Sequence, residues 1–99
     1  MSEIQRLVRM SFQPDRIPDF MDVFEASKEK IRNFPGCIAL NLIVDIEDSS
    51  VIYTSSIWRA VEDLENYRNS ELFIQTWRKT KIHFKEKAQT STFNVIHRL

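Results

Sequence analysis

The chain of 99 residues holds one glycine, one cysteine, two histidines and three prolines. Each scarcity excludes a class of chemistry. One glycine, Gly36, cannot build a phosphate cradle of the dinucleotide or P-loop type, which needs several. One cysteine, Cys37, allows neither an intramolecular disulfide nor a multi-cysteine zinc site, and a reducing cytoplasm fits that usage. Cys37 stands at the start of an apolar run with no basic neighbour in sequence, which reads as a small buried hydrophobe and not an activated thiol. His83 and His97 fall in different segments with no carboxylate at ligand spacing, so exposed or hydrogen-bonded imidazoles are expected and no metal site. No serine has a local histidine and acid to activate it. Excess charge of either sign is missing too: fourteen basic residues balance fourteen acidic ones, which argues against nucleic acid or an anionic lipid surface as partner. The opening "MSEIQRLVRM" lacks the apolar core of a secretory signal and no later run is long enough to cross a bilayer, so a soluble cytoplasmic protein is expected.

What is present describes one folded domain over 1–99. Hydrophobic residues make up 42% and charged residues 28%, the balance of an ordinary globular chain, and its length suffices for a single core. In "EIQRLVRMSF", Ile4, Val8, Met10 and Phe12 alternate with polar positions, with Arg6 sharing their face, which predicts a strand. Pro14 ends it, and Asp15 is placed to cap a helix whose stripe is Phe20, Val23, Phe24, Ser27, Ile31 and Phe34. "NFPGC" stops that helix. The next strand, "CIALNLIVDI", predicts one fully buried face from Ile38, Leu40, Leu42, Val44 and Ile46. After the turn "EDSS", the β-branched and aromatic run "VIYTSSIW" pairs with it as a hairpin. Helical spacing returns in "VEDLENYR", breaks at Asn69-Ser70, and resumes with Ser70 as cap and Leu72, Phe73, Trp77, Phe84 and Ala88 as stripe; the basic run from Arg78 to Lys87 is its solvated face. "TSTFNVIHRL" alternates Phe93, Val95, His97 and Leu99 as a last strand.

The order β-α-β-β-α-β predicts an α+β fold of the ferredoxin-like kind, with both helical regions on one face of an antiparallel sheet. Leu7, Ile43, Val51, Tyr53, Ile57, Phe93 and Val95 would occupy the other face. An apolar patch of that size predicts a homodimer, two sheets pressed together into a two-subunit α/β barrel. Trp58, Tyr67, Phe73 and Trp77 are the one unusual concentration of rings. Their spacing alone fits core packing, and their polar tips beside a helix break also fit an apolar pocket with a few donors.

The turn "FPGC" before the second strand, the Tyr53 and Trp58 of the third, and "LENYRNSELF" leading into a long helix resemble the antibiotic biosynthesis monooxygenase family of dimeric α/β barrels. The likeness runs from about Arg6 to Val95. It implies a small homodimer holding an apolar or aromatic molecule between sheet and helices, and oxidation of a small aromatic or quinol-like substrate by molecular oxygen without a flavin, metal or other cofactor. The resemblance also implies a pocket lined by Val8, Met10, Phe24, Trp58, Tyr67, Phe73 and Trp77. The chain departs from the haem-degrading branch, whose first-strand Asn, kink Trp and helix His match Val8, Tyr67 and Trp77 here. It departs from the common pattern too, carrying Ser56 and Tyr67 in place of an acid and a histidine. Tyr67, assisted by Arg68, is then the remaining group for proton handling. The alternative is a non-catalytic ligand-binding or structural homodimer on the same barrel.

Overall fold

Alternation along strand β1 (Ile4–Ser11) buries Ile4, Arg6, Val8 and Met10 on one face and leaves Gln5, Leu7 and Arg9 half-buried on the other. In the computed structural model, which describes residues 2–99, β1 is a central strand of a four-stranded sheet ordered β2-β3-β1-β4. Its partners are β2 (Cys37–Val44), β3 (Val51–Trp58) and β4 (Gln89–Asn94), and every pairing is antiparallel. Helix α1 (Ile17–Arg32) joins β1 to β2, and α2 (Val61–Arg68) and α3 (Glu71–Lys81) join β3 to β4. This is the ferredoxin-like α+β architecture. Among the described residues no helix is long and apolar enough to cross a membrane.

Local chemistry accounts for most boundaries. Gly36 takes φ +89° between α1 and β2, a conformation that costs other L-residues energy, and its carbonyl accepts from the Arg59 amide at 2.8 Å. The β2–β3 turn is closed by its own acids: the Asp45 carboxylate accepts from the amides of Glu47 (3.0 Å) and Asp48 (2.9 Å), and Asp48 from that of Ser50 (3.0 Å). At the break between α2 and α3, the Ser70 hydroxyl accepts from the Phe73 amide at 3.2 Å and donates to the Tyr67 carbonyl at 2.6 Å.

Four local expectations are corrected. Asp15 caps nothing: Pro14–Arg16 forms a 3-10 turn of its own, and α1 starts at Ile17 with no side-chain cap. The apolar face of β2 is not fully buried. The register shifts between Cys37 and Ala39, so that Cys37 pairs with Trp58 and Ala39 with Ile57; this bulge brings Cys37 and Leu40 to the helix side. Farther along this edge strand, Val44 is 58% exposed and, beyond its end, Ile46 is 98% exposed. Helix α3 ends at Lys81, so Phe84 and Ala88 pack from a non-helical return segment, anchored by Gln13 N–H to the His83 carbonyl (3.0 Å) and Lys85 N–H to the Ser11 carbonyl (2.7 Å). The last strand lies earlier than its alternation suggests and stops at Asn94. Beyond it Val95 N–H reaches the Glu3 carbonyl at 2.8 Å and Arg98 pairs with Glu3 at 2.7 Å, while Ile96 and Leu99 stay exposed.

The interior consists of two apolar clusters. Ile4, Ile31, Cys37, Trp58, Leu64 and Tyr67 form the first; Val8, Met10, Phe12, Phe20 and Ile52 form the second. Arg6 sits on β1 between Ile4 and Val8, at the seam. On the opposite, helix-free face Ile43 and Phe93 are the most exposed apolar side chains of those expected there, and Val51 is buried and contributes nothing to a patch.

Candidate functional site

The seam opens into a cavity of about 70 Å³ beneath the helices. Its floor is Arg6, Val8 and Met10 from β1, Leu40 from β2, and Thr54 and Ser56 from β3. Its roof is Phe20, Phe24, Ser27 and Ile31 from α1, Tyr67 from α2, and Phe73, Thr76, Trp77 and Thr80 from α3. A groove of about 490 Å³ runs between α1 and α3 on the outside, and Ser27 and Thr76 border both spaces. The hydroxyls of Ser27 and Thr80 bond back to their own helices, to Val23 at 2.9 Å and Thr76 at 2.8 Å, so they are already engaged.

Six of the residues named from sequence border this cavity: Val8, Met10, Phe24, Tyr67, Phe73 and Trp77. Two named residues do not. Trp58 is completely buried behind Tyr67, with the two rings stacked 4.9 Å apart, and its Nε1 donates to Ser56 Oγ at 2.9 Å. It braces the wall and fixes the serine that lines it. Arg68 lies exposed at the end of α2, outside the lining. The rings continue around the space, Tyr67 edge-on to Phe73 at 5.3 Å, Phe73 stacked on Trp77 at 5.9 Å, and Trp77 edge-on to Phe84 at 5.5 Å.

The electrostatics are one-sided. Among the described residues no carboxylate and no imidazole borders the cavity, and Arg6 is the only ionic side chain in its lining. Arg6 is 8% exposed. Among the described residues the ion pairs join Arg16 to Asp19, Lys28 to Glu25, Arg59 to Asp63 and Arg98 to Glu3, and none engages Arg6. Burial lowers its pKa, the charge of Arg68 works in the same direction, and Tyr67 and Glu65 oppose. Tyr67 beside it is pushed up to about 12, chiefly by burial, with Arg6 pulling the other way. At neutral pH that phenol keeps its proton; it can donate a hydrogen bond and cannot serve as a base.

Sequence reasoning placed Arg6 on the inward face without giving it a role. The signal was there: a cation at the second of four alternating buried positions is either paired or in contact with something absent. Cys37 is inert, its thiol pushed up by burial although Arg32, whose Nη1 donates to the Cys37 carbonyl at 2.9 Å, opposes this. The absence of a basic neighbour expected from the sequence is therefore corrected in space. His83 is corrected as well: it is buried, and its Nδ1 has no hydrogen-bond partner.

No curated protein matches the sequence significantly. Solved structures match the fold closely at low identity. A conserved protein from Methanosarcina mazei superposes with a TM-score of 0.91 at 15% identity, covering 95% of this chain and 93% of its own. Rv0793 from Mycobacterium tuberculosis gives 0.89 at 13%, covering 98% of each chain. A variant of SnoaB, a cofactor-independent oxygenase from Streptomyces nogalater, gives 0.86 at 12%, covering 100% of this chain and 98% of its own. The sequence model of one family, antibiotic biosynthesis monooxygenase, matches residues 4–79, which is most of the strand and helix framework around the cavity. The chain belongs to the antibiotic biosynthesis monooxygenase family.

Proposed function

We propose that the protein is a cofactor-independent monooxygenase that acts on a small aromatic, quinol-like molecule and works as a cytoplasmic homodimer. The observation that carries this reading is the ring-lined cavity between sheet and helices, whose polar groups are Arg6, Thr54 and Ser56 in the floor and Tyr67, Ser27, Thr76 and Thr80 in the roof. That SnoaB, of the same fold, is a cofactor-independent oxygenase supports it. The size of the cavity restricts the substrate. A dry cavity that accepts benzene measures roughly 150 Å³, about twice the space here, so even one or two fused rings enter only as the half-buried Phe24, Phe73 and Trp77 swing aside.

A phenol with a free para position illustrates the reaction class. The ring gives up four electrons, its para C–H and its O–H becoming the two C=O groups of a quinone. One atom of O2 enters the product and the other leaves as water. An electron-rich ring anion donates to oxygen directly, so the protein's part is to exclude water, align the ring and donate a hydrogen bond from Tyr67. The dimer would cover the helix-free sheet face at Ile43 and Phe93.

The test is oxygen uptake with 1-naphthol by protein stripped of metal and flavin. The expected result is one O2 consumed per naphthoquinone formed, with the rate falling at least about 10-fold in Trp77→Ala. The lack of a carboxylate or imidazole in the lining favours one competing reading, a ligand-binding dimer without chemistry. Thermal stabilisation by naphthol with no oxygen uptake would establish that reading instead.

A further inference from the structure

We infer that Arg6 is an anion-binding group, and that the molecule taken into the cavity is bound as a ring oxyanion, a phenolate or enolate whose charged oxygen meets the guanidinium. This rests on the reading of the cavity as a site for a small aromatic molecule and specifies the chemical class of that molecule.

A guanidinium carries five N–H donors and no acceptor, and it stays cationic in proteins. Burying one without a counter-charge costs enough that buried arginines are normally paired. Arg6 is more than nine-tenths buried, forms no ion pair among the described residues, and borders empty space. The charged or titratable groups that act on it, Tyr67, Arg68 and Glu65, all come from α2. Tyr67 is a neutral phenol at neutral pH, and Glu65 and Arg68 are exposed and of opposite sign, so together they leave the guanidinium uncompensated. Its partners across the sheet are Ser56 on β3 and Thr92 on β4, both uncharged, and the α1 and α3 residues over the cavity bring only rings, aliphatic groups and hydroxyls. Among the described residues the positive charge has no answer, and a ligand oxyanion supplies one.

The same placement resolves the missing base. Donation to O2 requires the substrate anion, yet nothing in the lining can take a proton at neutral pH. An opposite charge at roughly 4–6 Å lowers the pKa of an acid by about 1–3 units. Burial opposes this, as it does at Tyr67, which makes no hydrogen bond with Arg6 among the described residues. A phenol whose oxygen meets the guanidinium directly gains the fuller attraction and can lose its proton to water on entry, with the Tyr67 and Ser56 hydroxyls beside it as further donors to the oxyanion.

The experiment uses 4-nitrophenol, whose anion absorbs visible light, and nitrobenzene as its uncharged counterpart, with the wild-type protein, Arg6→Met and Arg6→Lys. Bound to wild type, 4-nitrophenol should ionise about 1–3 pH units below its free midpoint, equivalent to about 10- to 1000-fold preference for the anion. Arg6→Met should abolish the lowering while binding nitrobenzene as before, and Arg6→Lys should keep part of it. Removing an unpartnered buried cation should also leave the melting temperature of the free protein equal or higher. A marked fall would reveal a structural partner and overturn the inference. Binding of both probes to wild type with an unshifted midpoint would overturn it too, while leaving the aromatic cavity intact. Failure of wild type to bind either probe would remove the small-aromatic reading itself, and this inference with it.

Discussion

Tyr67 shows how far burial can redirect a side chain with the chemistry for proton transfer. Its phenol is pushed up to about 12 from an ordinary value of 10, mainly by loss of water around it. Because the folded value is the higher, the stabilising effect is fully present below pH 10 and is lost as pH rises toward 12, where the unfolded chain ionises first. Two units correspond to about 2–3 kcal/mol. Denaturant melts between pH 8 and 12 should show a steeper alkaline loss in wild type than in Tyr67→Phe, which has no proton to lose. Identical slopes would mean that the hydroxyl is better solvated than its surroundings indicate. Residue by residue, the sequence allowed the rings to be named, since Trp58, Tyr67, Phe73 and Trp77 concentrate around one helix break. It did not separate wall from backing. Trp58 belongs to the same concentration, but only the tertiary stack on Tyr67 shows that it lies behind the cavity.

Among the elements, the junction of α2 and α3 was the most legible, because serine after a helix break carries its own chemistry. Ser70→Ala should cost about 1 kcal/mol through the lost cap, read as a lower denaturant midpoint with an unchanged slope. Since the same hydroxyl also bonds the Tyr67 carbonyl, the change should loosen the one turn that holds Tyr67 over the cavity. Other boundaries were hidden for physical reasons. Phe84 lies seven residues after Trp77, a spacing that continues a helical stripe, and it packs half-buried against the second cluster from outside the helix; its bridge to Phe12 is a long-range contact that no local period encodes. The bulge at the start of β2 likewise comes from pairing with β3, and it moves Cys37 to the core side against the simple alternation. β4 is held by its ladder with β1 while all of its side chains remain exposed, so it carries no burial pattern to read.

At the scale of the molecule, the helix-free face of the sheet has the strongest bearing on assembly. Ile43 and Phe93 are each about half exposed there, on β2 and β4. If two copies cover this face, sedimentation should give twice the 11.8 kDa of the chain at micromolar concentration, and Ile43→Asp together with Phe93→Asp should return it to a single mass with the fold retained. A wild-type monomer would remove the barrel from the proposed function while leaving the cavity where it is. That cavity is lined from both apolar clusters, by Ile31 and Tyr67 of the first and Val8, Met10 and Phe20 of the second. A guest lodged there would bridge them as a keystone does the sides of an arch, and heat resistance should climb with occupancy. A melting curve recorded against a library of compounds could thus rank visitors before any product had been identified.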